Sequence, residues 1–468
     1  MHMSRLLAAT LFAVLPALSL AANTTVLALV GGTVIDVDNL GETSADLVDS
    51  TVLVRDQVIA AVGKRSEIQI PPGTTLVDVH GQYIIPGLID GFAAQRSQGQ
   101  ANAHLAMGVT TIIGMSDDRR GLLLDEDPQP HVKRLEDVSG YDLSGLDPPP
   151  QSIGELRARG RRLGPAELAA YVDAKAWDGN TVLLLMYPLD IEQVHAIVAA
   201  ASRHKIATIG ELGHTSYIDA AKAGVQAFVH TSRIMTELAP PALRRALADD
   251  PFPPDPSSLR TQYGTFLGSL SPSSPDVREY AASIGRMRTA VMPTTTLYVS
   301  GTELDRHNPW ASDIGALVDS HDVHAPLDPA TGTQPRLMRM PQDARDQELK
   351  EAEAMMRVQS AFITAGVPFL AASGTTAFGV LPGDGLHWEM NLLKRLGLTA
   401  RQALAAATGN YAIVFGWTDR GQIAPGCLAD IVVLTKNPVE NIDNSRSIAR
   451  IYLSGRELNR AQLLRHSP

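Results

Sequence analysis

Gly81-Gln82-Tyr83-Ile84-Ile85-Pro86-Gly87-Leu88-Ile89-Asp90 marks a change of texture, and the fold is read outward from it. Before it, from Thr25 to Ile85, short alternating apolar runs are broken by glycine: Val26-Leu27-Ala28-Leu29-Val30, Gly31-Gly32, Thr33-Val34-Ile35, then Thr51-Val52-Leu53-Val54 and Val58-Ile59-Ala60-Ala61-Val62. Period-2 spacing with frequent turn residues predicts a small β-sheet module. Beyond Pro86-Gly87 the chain alternates continuous apolar strands with helical segments. The strands are Gly108 to Ile113, Thr181 to Met186, Lys205 to Ile209, Val225 to Val229, Thr289 to Met292 and Val367 to Ala372. Pro165 to Trp177 and Ile191 to His204 read as helices between them. Strands buried on both faces lose their polar alternation, so this pattern predicts a parallel sheet wrapped by helices. Over roughly 330 residues it fits an α/β fold of the (β/α)₈ TIM-barrel type with insertions.

After Gly416 the β texture returns in Gly421-Gln422-Ile423, Ala429 to Leu434 and Ile451 to Arg456. One β-sandwich module built from both chain ends accounts for the two similar regions. The expected division is 1–21, 22–85 (β module), 86–415 (barrel) and 416–468 (β module). Two proline-rich stretches, Asp125 to Gln151 and Ala239 to Pro275, interrupt the alternation and read as long loops on the barrel.

Residues 1–21 read as a secretory signal peptide. Arg5 precedes an apolar run from Leu6 to Leu20, and Ser19-Leu20-Ala21 offers small residues at cleavage spacing. The run contains Pro16 and is shorter than the ~20 residues a membrane span needs, so a soluble periplasmic or secreted protein is expected. The net charge of −10 and the absence of a long basic run give no sign of a nucleic-acid partner, nor of a membrane partner once the signal is removed. Cys427 is the single cysteine, so neither an internal disulfide nor a thiolate zinc cluster can form. No Gly-x-Ser-x-Gly elbow and no glycine-rich phosphate loop is present.

Several stretches carry a resemblance to metal-dependent amidohydrolases, on the imidazolonepropionase-like and prolidase-like branch. Gly81 to Asp90 is similar to their first barrel strand, Gly108-Val109-Thr110-Thr111 to the second, Ala223 to His230 to the sixth and Met292-Pro293-Thr294 to the seventh. The most specific stretch is Gly421 to Leu434, followed by Asn437-Pro438.

The resemblance implies a metal centre: a His-x-His pair on strand one, a bridging carboxylated lysine on strand four, histidines on strands five and six, and an aspartate on strand eight. The metal would acidify a water and polarise the scissile carbonyl of a C–N bond. Carried onto this sequence, those positions hold Phe92 and Ala94, Leu184 (or Leu185), Glu211, His230 and Thr376. Only His230 keeps the family's residue type. Apolar substitutes have a physical logic, because converging ionic groups without their metal are costly to bury.

Glu211 and His230 are therefore the candidate acid/base pair. His214, His387, Trp388 and Thr376 are candidate binding residues. Asp384 and Glu389 flank His387 on the following helix, Asp117-Asp118 end the second strand, and Ser373 adjoins the strand-eight position. No metal cofactor is expected; the alternative is one Zn or Mn ion in a site rebuilt around Glu211, His214 and His230. Two functions follow from the residues. One is a non-catalytic protein that binds a small molecule or pairs with an active paralogue, homo-oligomers included. The other is a remodelled hydrolase of amides, cyclic amides or dipeptides.

Overall fold

A computed structural model describes residues 26–115, 128–249, 258–300, 308–319, 341–377 and 379–465. The segment 1–21, Asp117-Asp118 and parts of both proline-rich stretches lie outside the described residues.

Seven parallel strands run side by side in chain order: Leu88–Ala93, Val109–Met115, His131–Val138, Val182–Leu185, Ala207–Gly210, Ala227–Val229 and Ala290–Met292. The extended segment 367–372 is the eighth stave. It bridges Val291 through Phe369, and Leu370 N–H donates to Val291 O at 2.9 Å. On its other side Gly91 N–H donates to Ala371 O (3.2 Å) and Gly374 N–H to Phe92 O (2.9 Å), which closes the barrel. The short staves are uniformly buried, as strands with helices outside and side chains inside must be.

Alternate side chains divide between two cores. Ile89, Ile113, Leu135, Leu184, Ile209, Val229, Met292 and Leu370 fill the barrel interior, while Leu88, Ile112, Val138, Leu183, Phe228 and Val291 face the surrounding helices. Tyr411, Phe415 and Trp417 join the interior core, with the Tyr411 and Trp417 rings stacked 5.9 Å apart. Gly91 must be glycine here, because a Cβ would lie 1.8 Å from the Tyr411 hydroxyl.

The third stave lies inside what the sequence reads as a proline-rich loop from Asp125 to Gln151. Its apolar signal is diluted by Lys133, Arg134, Glu136 and Asp137. Lys133 sits 4.8 Å from the Trp417 ring centroid, where an aromatic face takes the place of an apolar neighbour. The second stretch likewise contains helices, Pro241–Asp249 and Ser258–Ser269.

Apart from a two-stranded ribbon of Tyr141–Asp142 and Arg161–Arg162, the remaining strands form one eight-stranded sheet drawn from both chain ends. Ile431–Leu434 lies antiparallel to Tyr83–Pro86, joining the C-terminal hairpin to the N-terminal strands Val26–Val34, Leu47–Arg55 and Val58–Lys64. The sheet curls back on itself, with Val58 bridging Leu428 and Ile59 N–H donating to Cys427 O at 2.9 Å. Gly87 N–H donates to Asp430 O at 2.8 Å, so the Pro86-Gly87 boundary pins the sheet to the first stave. Among the described residues no helix is long and apolar enough to cross a membrane.

Candidate functional site

The C-terminal ends of the staves bring together a small polar cluster over an apolar floor. Phe92 ends stave one, packs against the interior core and meets the His230 ring edge-on at 5.2 Å. Ala94 is buried, its N–H donating to Thr375 O at 2.8 Å. Leu184 is 2% exposed and belongs to the interior core. Its backbone pairs with Asp137 on stave three and Ile209 on stave five.

Glu211 follows stave five directly and its backbone N–H donates to Leu185 O at 2.8 Å. The Tyr187 hydroxyl, buried beside it, donates to Glu211 Oε1. Burial and the Glu211 charge both push the Tyr187 phenol well above its ordinary pKa, which keeps it a donor. His230 Nε2 lies 3.8 Å from the same Glu211 oxygen.

The orientation of His230 is set by its neighbours. Its backbone is left-handed (φ 60°), and its N–H donates to Met292 O at 3.0 Å. Thr294 Oγ1 donates to Pro293 O at 2.6 Å, so its 2.7 Å contact with His230 Nδ1 is one in which the ring nitrogen donates. That leaves the Nε2 lone pair facing Glu211. Burial pushes the His230 pKa down while Glu211 pulls the other way, and burial prevails. A neutral imidazole thus stands next to a hydrogen-bonded carboxylate, which is the arrangement of a proton-accepting pair.

Sequence reasoning missed Tyr187 and Arg233. The Arg233 guanidinium sits 5.6 Å from the Tyr187 ring centroid, three residues beyond His230. Arg233 brings a positive charge beside Glu211, and Ser232 next to it shares a 2.5 Å hydrogen bond with Tyr298. No spacing rule links Tyr187 to Arg233, because the loops after staves four and six meet only in the folded barrel.

The side chains of the other predicted residues make different contacts. His214 Nε2 is 3.0 Å from Asp249 Oδ1 on helix Pro241–Asp249. His387 is buried between Met107 O (2.8 Å from Nε2) and Ser445 Oγ (2.7 Å from Nδ1), and burial pushes its pKa down to about 3. Trp388 is part of the core between staves and helices, and Thr376 is buried in the loop after stave eight. Asp384 is held by Arg446 at 2.6 Å.

Ser373 belongs to a separate buried network. Its Oγ and N–H donate to Asp90 at 2.6 and 2.9 Å, while its carbonyl accepts from Thr296 Oγ1 at 2.6 Å. Glu389 accepts from the Thr295 and Thr296 N–H groups at 3.0 and 2.9 Å. Burial pushes Asp90 up to about 6 and Glu389 up to about 7.

A catalytic metal needs three protein ligands and an open position. Phe92, Ala94 and Leu184 offer no donor atoms, which leaves Glu211, His230 and the neutral hydroxyl of Thr376 at the positions that the resemblance implies. Among the described residues no group of three or more His, Cys, Asp or Glu side chains is arranged to hold an ion. The residues present do not fit the family's metal centre.

An eight-stave barrel with a sheet drawn from both chain ends is the architecture of the amidohydrolases, and the chain resembles that family in sequence as well. Residues 386–458 match the profile of the amidohydrolase family. An adenine deaminase of Rubrobacter xylanophilus is 30% identical over 223 residues, which is 43% of this chain and 33% of that protein. The match therefore spans about a third of the relative's length.

Three solved structures share the fold. The bottromycin amidohydrolase superposes with a TM-score of 0.63 at 18% identity, covering 94% of this chain and 88% of its own. A Xaa-Pro dipeptidase with methionine bound in its active site gives 0.59 at 15%, covering 93% and 100%. The ochratoxinase of A. niger gives 0.57 at 16%, covering 93% and 95%.

Proposed function

We propose that this chain is an exported amidohydrolase-fold protein that does not hydrolyse amides by the family's metal-assisted route. It instead binds a small molecule at the barrel mouth or serves as a non-catalytic partner of an active relative. The observation that carries the proposal is the packing of Leu184 into the interior core and of Phe92 against it, at positions where the family places the bridging lysine and a histidine. With Ala94 buried as well, three of six ligand positions are apolar and packed. What remains of the polar mouth, Glu211, Tyr187, His230 and Arg233, is a compact set whose charges balance, suited to a small neutral or zwitterionic ligand.

A second reading is favoured by one distance, the 3.8 Å between Glu211 and His230. In it the protein is a metal-free hydrolase of amides, cyclic amides or dipeptides. A water's oxygen bonds to the amide carbon, its proton passes to the pair, and the same proton is returned to the departing nitrogen as the C–N bond breaks.

Turnover of a panel of dipeptides, N-acyl amino acids and cyclic amides separates the two. The first reading expects no rate above the uncatalysed one, with or without chelator. Chelator-resistant turnover that His230→Ala abolishes would establish the second. Turnover that a chelator abolishes would overturn both. Periplasmic fractionation tests export, and light scattering tests self-association.

A further inference from the structure

Helix Gln98–Ala106 is buried along its whole length, yet every other residue of it is polar: Gln98, Gln100, Asn102 and His104 alternate with Gly99, Ala101 and Ala103. A buried helix is ordinarily apolar all round. Here Gln98 Oε1, Gln100 Nε2 and His104 Nδ1 are buried without a hydrogen-bond partner. Each such atom is costly to bury, and native proteins hold only a few per hundred residues.

Gln98 and Asn102 stand one helical turn apart, 8% and 5% exposed, and are joined by a 2.9 Å hydrogen bond from Gln98 Nε2. The same nitrogen donates to Pro128 O at 3.1 Å. Turning the amide over would set its oxygen against the Pro128 carbonyl, so the unpartnered atom of Gln98 is its acceptor. Both residues line a cavity of about 380 Å³, closed on the far side by the C-terminal segment with Arg456, Glu457, Asn459 and Gln462. That volume falls within the range of small-ligand sites.

We propose that this cleft, outside the barrel mouth, is a second binding site for a small neutral polyhydroxylated ligand, a mono- or disaccharide. A hydroxyl both donates and accepts, which matches walls built from carboxamides: Gln98 and Asn102 on one side, Asn459 and Gln462 on the other. Arg456 and Glu457 carry opposite charges at the rim, so the cleft selects for neither sign. Leu458 and Leu463 supply the apolar contact that the C–H faces of a sugar ring need.

The test is saturation-transfer NMR and calorimetry on the full chain with glucose and trehalose as probes. Saturable binding of at least one is expected, weakened tenfold or more by Gln98→Leu and by Gln462→Trp. Gln462 is exposed, so the second variant blocks the cleft without touching the core. Absence of saturable binding with both sugars overturns the proposal. So does binding that both variants leave unchanged, or a Gln98→Leu variant that melts higher and binds as before.

Discussion

Leu184 offers the sharpest test of the claim that metal-ligand positions at the barrel mouth have been filled by apolar packing. It is 2% exposed on stave four, between staves three and five. Leu184→Ala removes three carbons' worth of burial, about 2.4 kcal/mol at about 0.8 per methylene. With the term for the remaining cavity the loss reaches about 3–4 kcal/mol. Leu184→Lys restores the residue type that the family resemblance implies for this stave. The ammonium has no water there, and burial depresses a lysine pKa by up to 3–5 units, each unit about 1.4 kcal/mol. A folded pKa below the unfolded one means that the unfolded state binds more protons, so the penalty shrinks as pH rises toward the unfolded lysine value. Urea unfolding followed by tryptophan fluorescence at pH 7 and pH 9 reads both effects. A Leu184→Lys cost under about 1 kcal/mol, or one that does not shrink at pH 9, would refute the reasoning by showing a hydrated or ion-ready position at stave four.

Glu389→Gln tests the buried acid network. The folded pKa of Glu389 is raised to about 7, so the native state holds a proton that the unfolded state releases, and this residue's contribution falls as pH rises from about 4.5 to 7. The variant, measured by denaturation at pH 5 and pH 8, should therefore lose most relative to the parent at pH 5 and least at pH 8. Gly91→Ala should cost about 3 kcal/mol or more through overpacking against Tyr411, and Tyr411→Phe added to it should recover part of that loss in thermal melts. His214→Ala, which removes a half-exposed contact to an exposed Asp249, should shift stability by less than about 1 kcal/mol and leave ligand binding at the mouth unchanged.

Much of the architecture is legible in the sequence because staves buried on both faces read as unbroken apolar runs. Pro86-Gly87 and Gly421 to Leu434 mark where sheet and barrel meet. Stave three is not legible, since Lys133 and Asp137 occupy its inward positions on either side of Leu135 and break the apolar run. Glu211 and His230 can be found by counting along helices and strands, because each directly follows its stave. Tyr187 and Arg233 cannot, as their roles come from loops that approach one another only after the barrel closes. The same limit hides the Asp90–Ser373 and Glu389–Thr296 hydrogen bonds, which join residues nearly 300 and about 90 positions apart. His387 and Trp388 carry chemistry-bearing side chains, yet helix Asp384–Leu396 commits them to the packing between layers.

Elemental analysis of the purified protein, expressed in medium supplemented with zinc and manganese, addresses the central claim most directly. Substoichiometric metal, well below one equivalent per chain and unchanged by dialysis against chelator, is the predicted result. One or two tightly held equivalents of zinc or manganese, lost together with turnover on chelation, would contradict it.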